Sequence, residues 1–239
     1  MFFNGEKEID ELLRIVRGDP NIVTFVYGPI NSGKTALMRE FISRLPDNYV
    51  AFYVNLRATP VTDYEDFLDV LFSIDVESPV QSLKEALSLV LSAGKEILGI
   101  PIPESVLTCV LRGKKPKNAF AYIIKLLGEV KDKGKAPILI LNELQVIRDL
   151  NVNGPVIYEL FNFFVHITKE AHLAHVFVVT SDSLFIEEVY NEAMLQGRSD
   201  YLLVDDFDES TTLEFLTSHG LEKRKAKLAL EYFGGKPSN

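Results

Sequence analysis

The chain has 239 residues, 47% of them hydrophobic, which allows one large α/β domain or a domain with a small appendage. A formal net charge of −9 disfavours a nucleic-acid-binding domain, because such domains usually carry the opposite charge balance. The sequence has no apolar run of about 18 residues and no basic region at its start, so neither a membrane span nor a secretory signal is expected. The single cysteine, Cys109, fits a reducing cytoplasm and is expected to be a plain core or helix residue.

Hydrophobic periodicity predicts alternating helices and strands. In chain order the predicted elements are a helix over Glu8–Val16, strand Val23–Tyr27, a helix from Ala36 to near Pro46, strand Val50–Leu56, helices over Asp63–Phe72, Gln81–Leu98, Glu104–Leu111 and Ala119–Lys131, strand Pro137–Leu141, a helix over Val156–Glu170, strand His175–Thr180, a helix over Leu184–Met194, strand Tyr201–Val204, and helices over Ser210–Ser218 and Glu222–Phe233. Five strands separated by helices predict a parallel sheet covered on both faces, with a helical insertion at about residues 80–117.

A glycine loop of the form G-x-x-x-x-G-K-[ST] lies between the first predicted strand and the following helix. This arrangement directs backbone N–H groups and a helix N-terminus at a phosphate, and therefore predicts a P-loop nucleoside triphosphatase fold. Lys34 is expected to contact the β and γ phosphates, and the Thr35 hydroxyl to ligate Mg²⁺. The predicted nucleotide-binding residues are Gly28, Pro29, Ile30, Asn31, Ser32, Gly33, Lys34, Thr35 and Ala36.

An amide and a carboxylate side chain follow the predicted strand Pro137–Leu141. The apolar run Ile138–Leu141 ends in Asn142 and Glu143, where four apolar residues followed by Asp and Glu would be expected of such a protein. Glu143 is the candidate catalytic base, and Asn142 can accept a hydrogen bond from a Mg²⁺-bound water although it carries no charge. Three interpretations stay open: slow but real hydrolysis, nucleotide binding with hardly any turnover, or the simple start of a loop.

Further candidates follow other strands. Thr180 or Ser181 could orient the attacking water and sense the γ-phosphate, while Ser181 or Asp182 could instead cap the next helix. Arg198 could act as an arginine finger in its own or a neighbouring subunit, or lie on the surface. Arg57, directly after the second strand, is a weaker candidate of the same kind.

The histidines give weaker signals. His172 and His175 lie at a helix-to-strand junction with no cysteine or carboxylate pair beside them, so a metal site there is not expected.

Several motifs together resemble the archaeal ATPase family, P-loop proteins of the AAA+-related STAND class, and the likeness spans nearly the whole chain. Phe2–Ile9 is similar to the family's F-x-x-R-E-x-E-[IL] start, Tyr27–Thr35 to its glycine loop, and Tyr53–Arg57 to the end of its second strand. Asn142–Gln145 is similar to the family's D-E-x-Q segment, Asp205–Phe207 to the entry into its helical lid, and Gly234–Pro237 to the G-x-P element of that lid.

The resemblance implies ATP rather than GTP, Mg²⁺ dependence, a P-loop core over residues 1–206 and a partial helical lid over 207–239. In many members a winged-helix module that can bind DNA or protein follows, and this chain ends before such a module. The chain also departs from the pattern at Gly5, where an arginine is usual, and at Asn142.

The resulting functional prediction is ATP binding with slow Mg²⁺-dependent hydrolysis by a STAND-type molecular switch. The alternatives are a nucleotide-binding interaction module degraded at Asn142, or a replication-initiator-like DNA-binding ATPase. A protein partner or a homo-oligomer is allowed, nucleic acid is disfavoured by the charge, and no membrane is expected.

Overall fold

A computed structural model describes residues 3–72, 80–113, 116–152, 155–192 and 195–235. The elements in chain order are α1 (Glu6–Arg17), β1 (Val23–Tyr27), α2 (Lys34–Arg44), β2 (Tyr49–Asn55), α3 (Tyr64–Phe72), α4 (Leu83–Ser92), β3 (Glu96–Leu98), α5 (Glu104–Gly113), α6 (Pro116–Asp132), β4 (Ala136–Asn142), α7 (Val156–Val165), β5 (His175–Thr180), α8 (Ser183–Glu192), β6 (Ser199–Leu203), α9 (Glu209–Ser218) and α10 (Lys223–Phe233). A short 3-10 helix, Leu144–Ile147, follows β4, and a π-helix, His166–Glu170, extends α7.

The described residues form one six-stranded sheet in the order β3-β2-β4-β5-β1-β6, and every pairing is parallel. The predicted parallel α/β fold is confirmed, and β5 lies between the glycine-loop strand β1 and the acidic strand β4. The prediction of five strands was wrong, because β3 adds a sixth at the edge next to β2.

Strand β3 lies where a helix over Gln81–Leu98 was predicted. Helix α4 ends at Ser92, and Ala93 is already extended. Residues Glu96–Leu98 pair with β2, and the N–H of Ala51 donates to the carbonyl of Lys95 at 2.8 Å. Apolar spacing in so short a segment does not distinguish the end of a helix from an edge strand. The segment at 80–117 therefore contains a strand of the main sheet as well as helices.

Two apolar layers cover the faces of the sheet. Along β4, Leu139 and Leu141 belong to the layer formed with α3, α6 and α7, whereas Ile138 and Ile140 belong to the layer formed with α1 and α2. This alternation is the period of two that a strand requires. It matters for function because the side chain of Asn142, two residues after Ile140, continues the face that α2 covers.

Two features outside the core complete the description. Cys109 lies on α5 with an exposed side chain, so it is a helix residue but not a core residue. Within the described residues, no helix combines the length and apolarity needed to cross a membrane.

Candidate functional site

The glycine loop leaves the carboxyl end of β1 in a space that only glycine fits. A Cβ on Gly28 would lie 1.9 Å from the carbonyl oxygen of Val204, the residue after β6. Val204 is fixed there because its N–H donates to the carbonyl of Tyr27 at 2.7 Å. Asn31 and Gly33 have φ values of 68° and 90°, so the loop reverses through left-handed conformations before α2 begins. The first turn of α2 points its N–H groups into this loop, as an anion site requires.

Lys34 is held inside the loop. Its side chain is 6% exposed, and Nζ donates to the carbonyls of Gly28 and Pro29 at 2.9 and 2.6 Å and to the hydroxyl of Ser32 at 3.3 Å. A buried ammonium is stabilised by such oxygen partners, and phosphate oxygens make shorter and stronger charge-assisted bonds than carbonyls do. The loop therefore keeps a positive charge at the place where it would meet a phosphate.

Glu143 follows β4 in a left-handed conformation, with φ 63° and ψ 45°. That conformation costs a non-glycine residue about 1 kcal/mol, so the surrounding contacts must fix it. Its N–H donates to the carbonyl of Val179 at 2.8 Å, and the residue is only 8% exposed. This turn aims the carboxylate toward the space in front of β5 and the glycine loop rather than into the core.

The Glu143 carboxylate is surrounded by donors. Oε2 accepts a hydrogen bond from Nε2 of Gln145 at 2.6 Å and from the hydroxyl of Ser181 at 3.3 Å. The guanidinium of Arg57 lies 3.7 Å from the same oxygen. Gln145 also accepts a hydrogen bond from the Thr180 hydroxyl at 2.7 Å, so one amide joins the ends of β4 and β5. These contacts hold the Glu143 carboxylate in one orientation, which is what a general base requires.

Of the two sequence interpretations of the β5 end, the structure contains the helix cap, and the positioning of water by Thr180 or Ser181 stays a prediction. Asp182 Oδ1 accepts the N–H of Phe185 at 3.0 Å and so caps α8. Partial burial opposes ionisation of this carboxyl, but the hydrogen bond from Phe185 and the charge of Arg148 lower the pKa of Asp182 overall. The polar residues before it, Thr180 and Ser181, face the Glu143 network instead.

The residue in the metal-associated position, Asn142, is buried and fixed by its neighbour across the sheet. Asn142 pairs with Asn55 in the β2–β4 register, and Nδ2 of Asn142 donates to Oδ1 of Asn55 at 3.2 Å. No described residue gives a hydrogen bond to Oδ1 of Asn142, although that atom is buried. An acceptor left without a donor at this position fits a water molecule bound to Mg²⁺.

Two cavities lined by described residues meet at the glycine loop. We call the first, about 610 Å³, the Glu143 cavity, since Lys34, Thr35, Arg57 and Ser181 line it together with Glu143. Arg39 and Glu40 of α2 also line it. The second, about 320 Å³, is the Phe207 cavity, enclosed by residues 3–5, the start of α2, the segment after β6 and the first turns of α9. Gly33 and Ala36 line both cavities, so an extended ligand could occupy the two at once.

The amino-terminal segment and the helices after β6 form the outer wall of the Phe207 cavity. The rings of Phe3, Phe207 and Phe215 contact one another with centroids 5.3 to 6.0 Å apart. The Asn4 amide donates to the Thr211 hydroxyl at 3.2 Å, which ties the segment before α1 to α9. This wall is thus built from two parts of the chain that lie more than 200 residues apart in sequence.

The structure does not bring Arg198 to this site. Arg198 precedes β6, and its carbonyl accepts the N–H of Val23, the first residue of β1, at 3.0 Å. It therefore lies at the amino edge of the sheet, whereas the glycine loop leaves the carboxyl edge about 13 Å away along β1. An arginine finger within the same subunit is not supported by this placement, and a role across a subunit interface stays a prediction.

Sequence reasoning missed several contributors to the site. Gln145 was noted only as part of a motif, Asn55 only as part of a strand end, and Arg39 not at all. Arg57, the weaker arginine candidate, is the one that contacts Glu143. The available signal was their common position, since Asn55 and Gln145 both stand at or after the carboxyl end of a parallel strand.

The chain belongs to the family of ATPase domains found predominantly in Archaea, whose family model matches residues 2–239. The family resemblance inferred from the motifs is therefore confirmed. Among curated relatives, a protein of Pyrococcus abyssi named as an uncharacterized ATP-binding protein is 69% identical over 99% of this chain and 71% of its own length.

Solved structures agree on the fold. A Walker-type ATPase of Pyrococcus abyssi superposes with a TM-score of 0.68 at 20% identity, over 99% of this chain and 65% of that one. The Aeropyrum pernix ORC1 protein in complex with DNA superposes with a TM-score of 0.55 at 15% identity, over 99% of this chain and 57% of that one. At these identities the likeness concerns the fold alone and does not extend to DNA binding by this chain.

Proposed function

We propose that the chain binds ATP with Mg²⁺, hydrolyses it slowly, and couples the nucleotide to its terminal helices as a STAND-type switch. The observation that carries this proposal is the meeting of the two cavities at Gly33 and Ala36. The Phe207 cavity offers aromatic and aliphatic surface to a nucleobase, and the Glu143 cavity offers Lys34 and Arg57 to the phosphates. The name of the Pyrococcus abyssi relative supports ATP as the ligand.

The chemistry assigned to this chain is an in-line hydrolysis. Water attacks the γ-phosphorus, the bond to the β–γ bridging oxygen breaks, and Glu143 accepts the proton of the water, giving ADP and inorganic phosphate. Ser181 and Gln145 hold the Glu143 carboxylate in position for that water. Lys34 replaces its hydrogen bonds to loop carbonyls by hydrogen bonds to phosphate oxygens. Arg57 lies beside Glu143, where its guanidinium neutralises part of the negative charge of the γ-phosphate.

Bound Mg²⁺ would neutralise charge between the β and γ phosphates. Thr35 lines the Glu143 cavity and offers its hydroxyl as a ligand, and Asn142 offers a carbonyl oxygen to a metal-bound water. Both groups are neutral, and among the described residues no three His, Cys, Asp or Glu side chains gather at one place. The ion would thus depend on the phosphates for most of its negative charge, consistent with slow turnover.

The switch part of the proposal rests on the wall of the Phe207 cavity. A base in that cavity would contact the core at Leu37 and Val204 and the terminal helices at Phe215. The N–H of Phe207 donates to the carbonyl of Gly235 at 2.8 Å, which joins the segment entering α9 to the end of α10. Nucleotide binding would then favour the arrangement in which α9 and α10 pack against the nucleotide and the core. Loss of the γ-phosphate would make this arrangement less favourable.

The test is an ATP turnover and binding assay on the purified chain with two variants. We expect Glu143→Gln to lower turnover by roughly 10²- to 10⁴-fold with little change in ATP affinity, because only the base is lost. We expect Lys34→Ala to lower affinity roughly 10- to 100-fold, since a charged partner of the phosphates disappears. Lys125→Ala, on the exposed side of α6, serves as the control and should match the parent.

The same assay decides the second candidate, a nucleotide-binding interaction module that does not turn over. Asn142 favours that candidate, because the usual metal-associated carboxylate is missing at the end of β4. Parent turnover equal to that of Glu143→Gln, with intact ATP affinity, would establish the module and refute the ATPase. Absence of ATP binding by the parent would refute both.

A further inference from the structure

The amide of Asn55 has only one orientation that satisfies its neighbours. The backbone N–H of Arg57 donates to Asn55 Oδ1 at 3.2 Å, so the oxygen, not the nitrogen, of Asn55 must face that group. The same oxygen accepts the hydrogen bond from Nδ2 of Asn142. The backbone turn after β2 therefore fixes Asn55, and Asn55 in turn decides which end of the Asn142 amide points toward it.

The consequence is a fixed direction for the Asn142 oxygen. With Nδ2 committed to Asn55, Oδ1 must point to the opposite side, where no described residue donates to it. Asn142 is 5% exposed, so bulk water does not freely solvate this oxygen. Leaving a buried acceptor unsatisfied is unfavourable, and an amide free to rotate would relieve part of that cost.

The face on which this oxygen lies is the face of the glycine loop. Ile138 and Ile140 of β4, and Ala51 and Tyr53 of β2, belong to the apolar layer that contains Leu37 and Met38 of α2. By strand alternation Asn142 and Asn55 occupy the next positions on that same face. Helix α2 begins with Lys34 and Thr35, so the oriented oxygen lies at the end of the sheet that adjoins the Thr35 hydroxyl, the proposed Mg²⁺ ligand.

We propose that Asn55 is a positioning residue for the metal, which holds Asn142 so that its carbonyl oxygen accepts a hydrogen bond from a Mg²⁺-bound water. This inference rests on the proposed nucleotide binding. The pair supplies by orientation what the usual aspartate supplies by charge: an acceptor directed at the hydration shell. Since the contribution of Asn55 passes through Asn142, the two residues should act as one unit in metal binding.

The measurement is the Mg²⁺ coupling of nucleotide binding, the ratio of the Kd of N-methylanthraniloyl-ADP in EDTA to its Kd with excess Mg²⁺. Asn55→Leu and Asn142→Leu should each lower this ratio about three- to tenfold, the range of one neutral hydrogen bond. The double variant should lower it no further than either single variant, because one unit has already been lost. Asn55→Asp keeps an acceptor for both donors and should not lower the ratio.

Several outcomes would overturn the inference. One is an unchanged ratio in Asn55→Leu, and another is a double variant whose loss equals the product of the single losses. If thermal denaturation shows that Asn55→Leu is not folded, Asn55→Ser takes its place. The serine side chain is too short for its hydroxyl to hold Asn142. A parent that binds the nucleotide equally well with and without Mg²⁺ refutes the inference alone, whereas a parent that binds it in neither condition refutes the proposed function.

Discussion

The carboxyl ends of the parallel strands form one edge of the sheet, and their amino ends form the opposite one. Both edges carry polar residues, but the residues have different roles. At the carboxyl edge, Lys34, Glu143 and Ser181 line one cavity, and the hydroxyl of Ser181 donates to the Glu143 carboxylate. At the amino edge, Arg198 contributes its backbone carbonyl to β1, and His175 is buried at the start of β5. Strand direction, rather than residue type, therefore separates the functional candidates from the structural ones.

The amino edge is specialised for packing. His175 is 5% exposed, and burial lowers its pKa to about 4, although backbone carbonyls of Gly18 and Val16 and the charge of Asp19 oppose the shift. A histidine kept neutral in this way supports the fold and does not serve as an acid or base near neutral pH. The comparison thus predicts that perturbing the carboxyl edge affects nucleotide binding, while perturbing the amino edge affects only stability.

Gly28→Ala should have the largest effect on the folded protein. Its Cβ would lie 1.9 Å from the Val204 carbonyl, and both groups are held by backbone, so β6 and the glycine loop must separate. We expect a loss of about 3 kcal/mol in the free energy of unfolding, at the upper end for overpacking, together with weaker nucleotide binding. Urea denaturation measures the first and a nucleotide titration the second.

The matched control is Gly94→Ala, where a Cβ would meet no atom within 4 Å. This variant should be as stable as the parent. Equal stability of Gly28→Ala and Gly94→Ala would show that the junction between β6 and the loop is not the tight contact described above.

His175 should give a pH effect on stability without an effect on binding. Its folded pKa of about 4 lies below its unfolded value near 6.5, so the unfolded state binds more protons between these pH values. Stability from this group is complete above pH 6.5 and is lost as the pH falls toward 4, by about 1.4 kcal/mol per pH unit. Urea denaturation at pH 7, 6 and 5 measures this slope.

In His175→Gln the slope of the free energy of unfolding against pH, between pH 7 and pH 5, should decrease by the equivalent of about one bound proton. This holds whatever the stability of the variant at pH 7. Nucleotide affinity at pH 7 should match the parent, because the residue lies at the amino edge. An unchanged slope would mean that another group dominates this pH range. A loss of nucleotide affinity would contradict the expectation that the amino edge affects only stability.

Arg198→Ala should have the smallest effect, less than about twofold in both turnover and ATP affinity, as for an exposed side chain away from the site. Assays at several protein concentrations give the comparison its sharpest form. A loss of turnover that grows with protein concentration would contradict the expectation and assign Arg198 to the site of a neighbouring copy.

Most of the fold was readable because its elements carry strong local signals. The buried parallel strands are continuous apolar runs, such as Ile138–Leu141, and the P-loop is defined by glycines that its backbone needs. The edge strand Glu96–Leu98 was missed because it is short and half exposed, so its apolar content is too small to show a period. What stabilises it is pairing with β2, which lies some 45 residues earlier in the chain.

The sequence by itself determined the chemistry available to this protein: a phosphate loop, a glutamate after a buried strand, and an asparagine in the place of a metal-associated aspartate. Only the tertiary structure decided which residues act together. Parallel pairing of β2, β4 and β5 brings Asn55, Asn142 and Gln145 to one edge and leaves Arg198 at the other. The reason is that hydrogen-bond partners across a sheet depend on strand order and register, which no local stretch of sequence encodes.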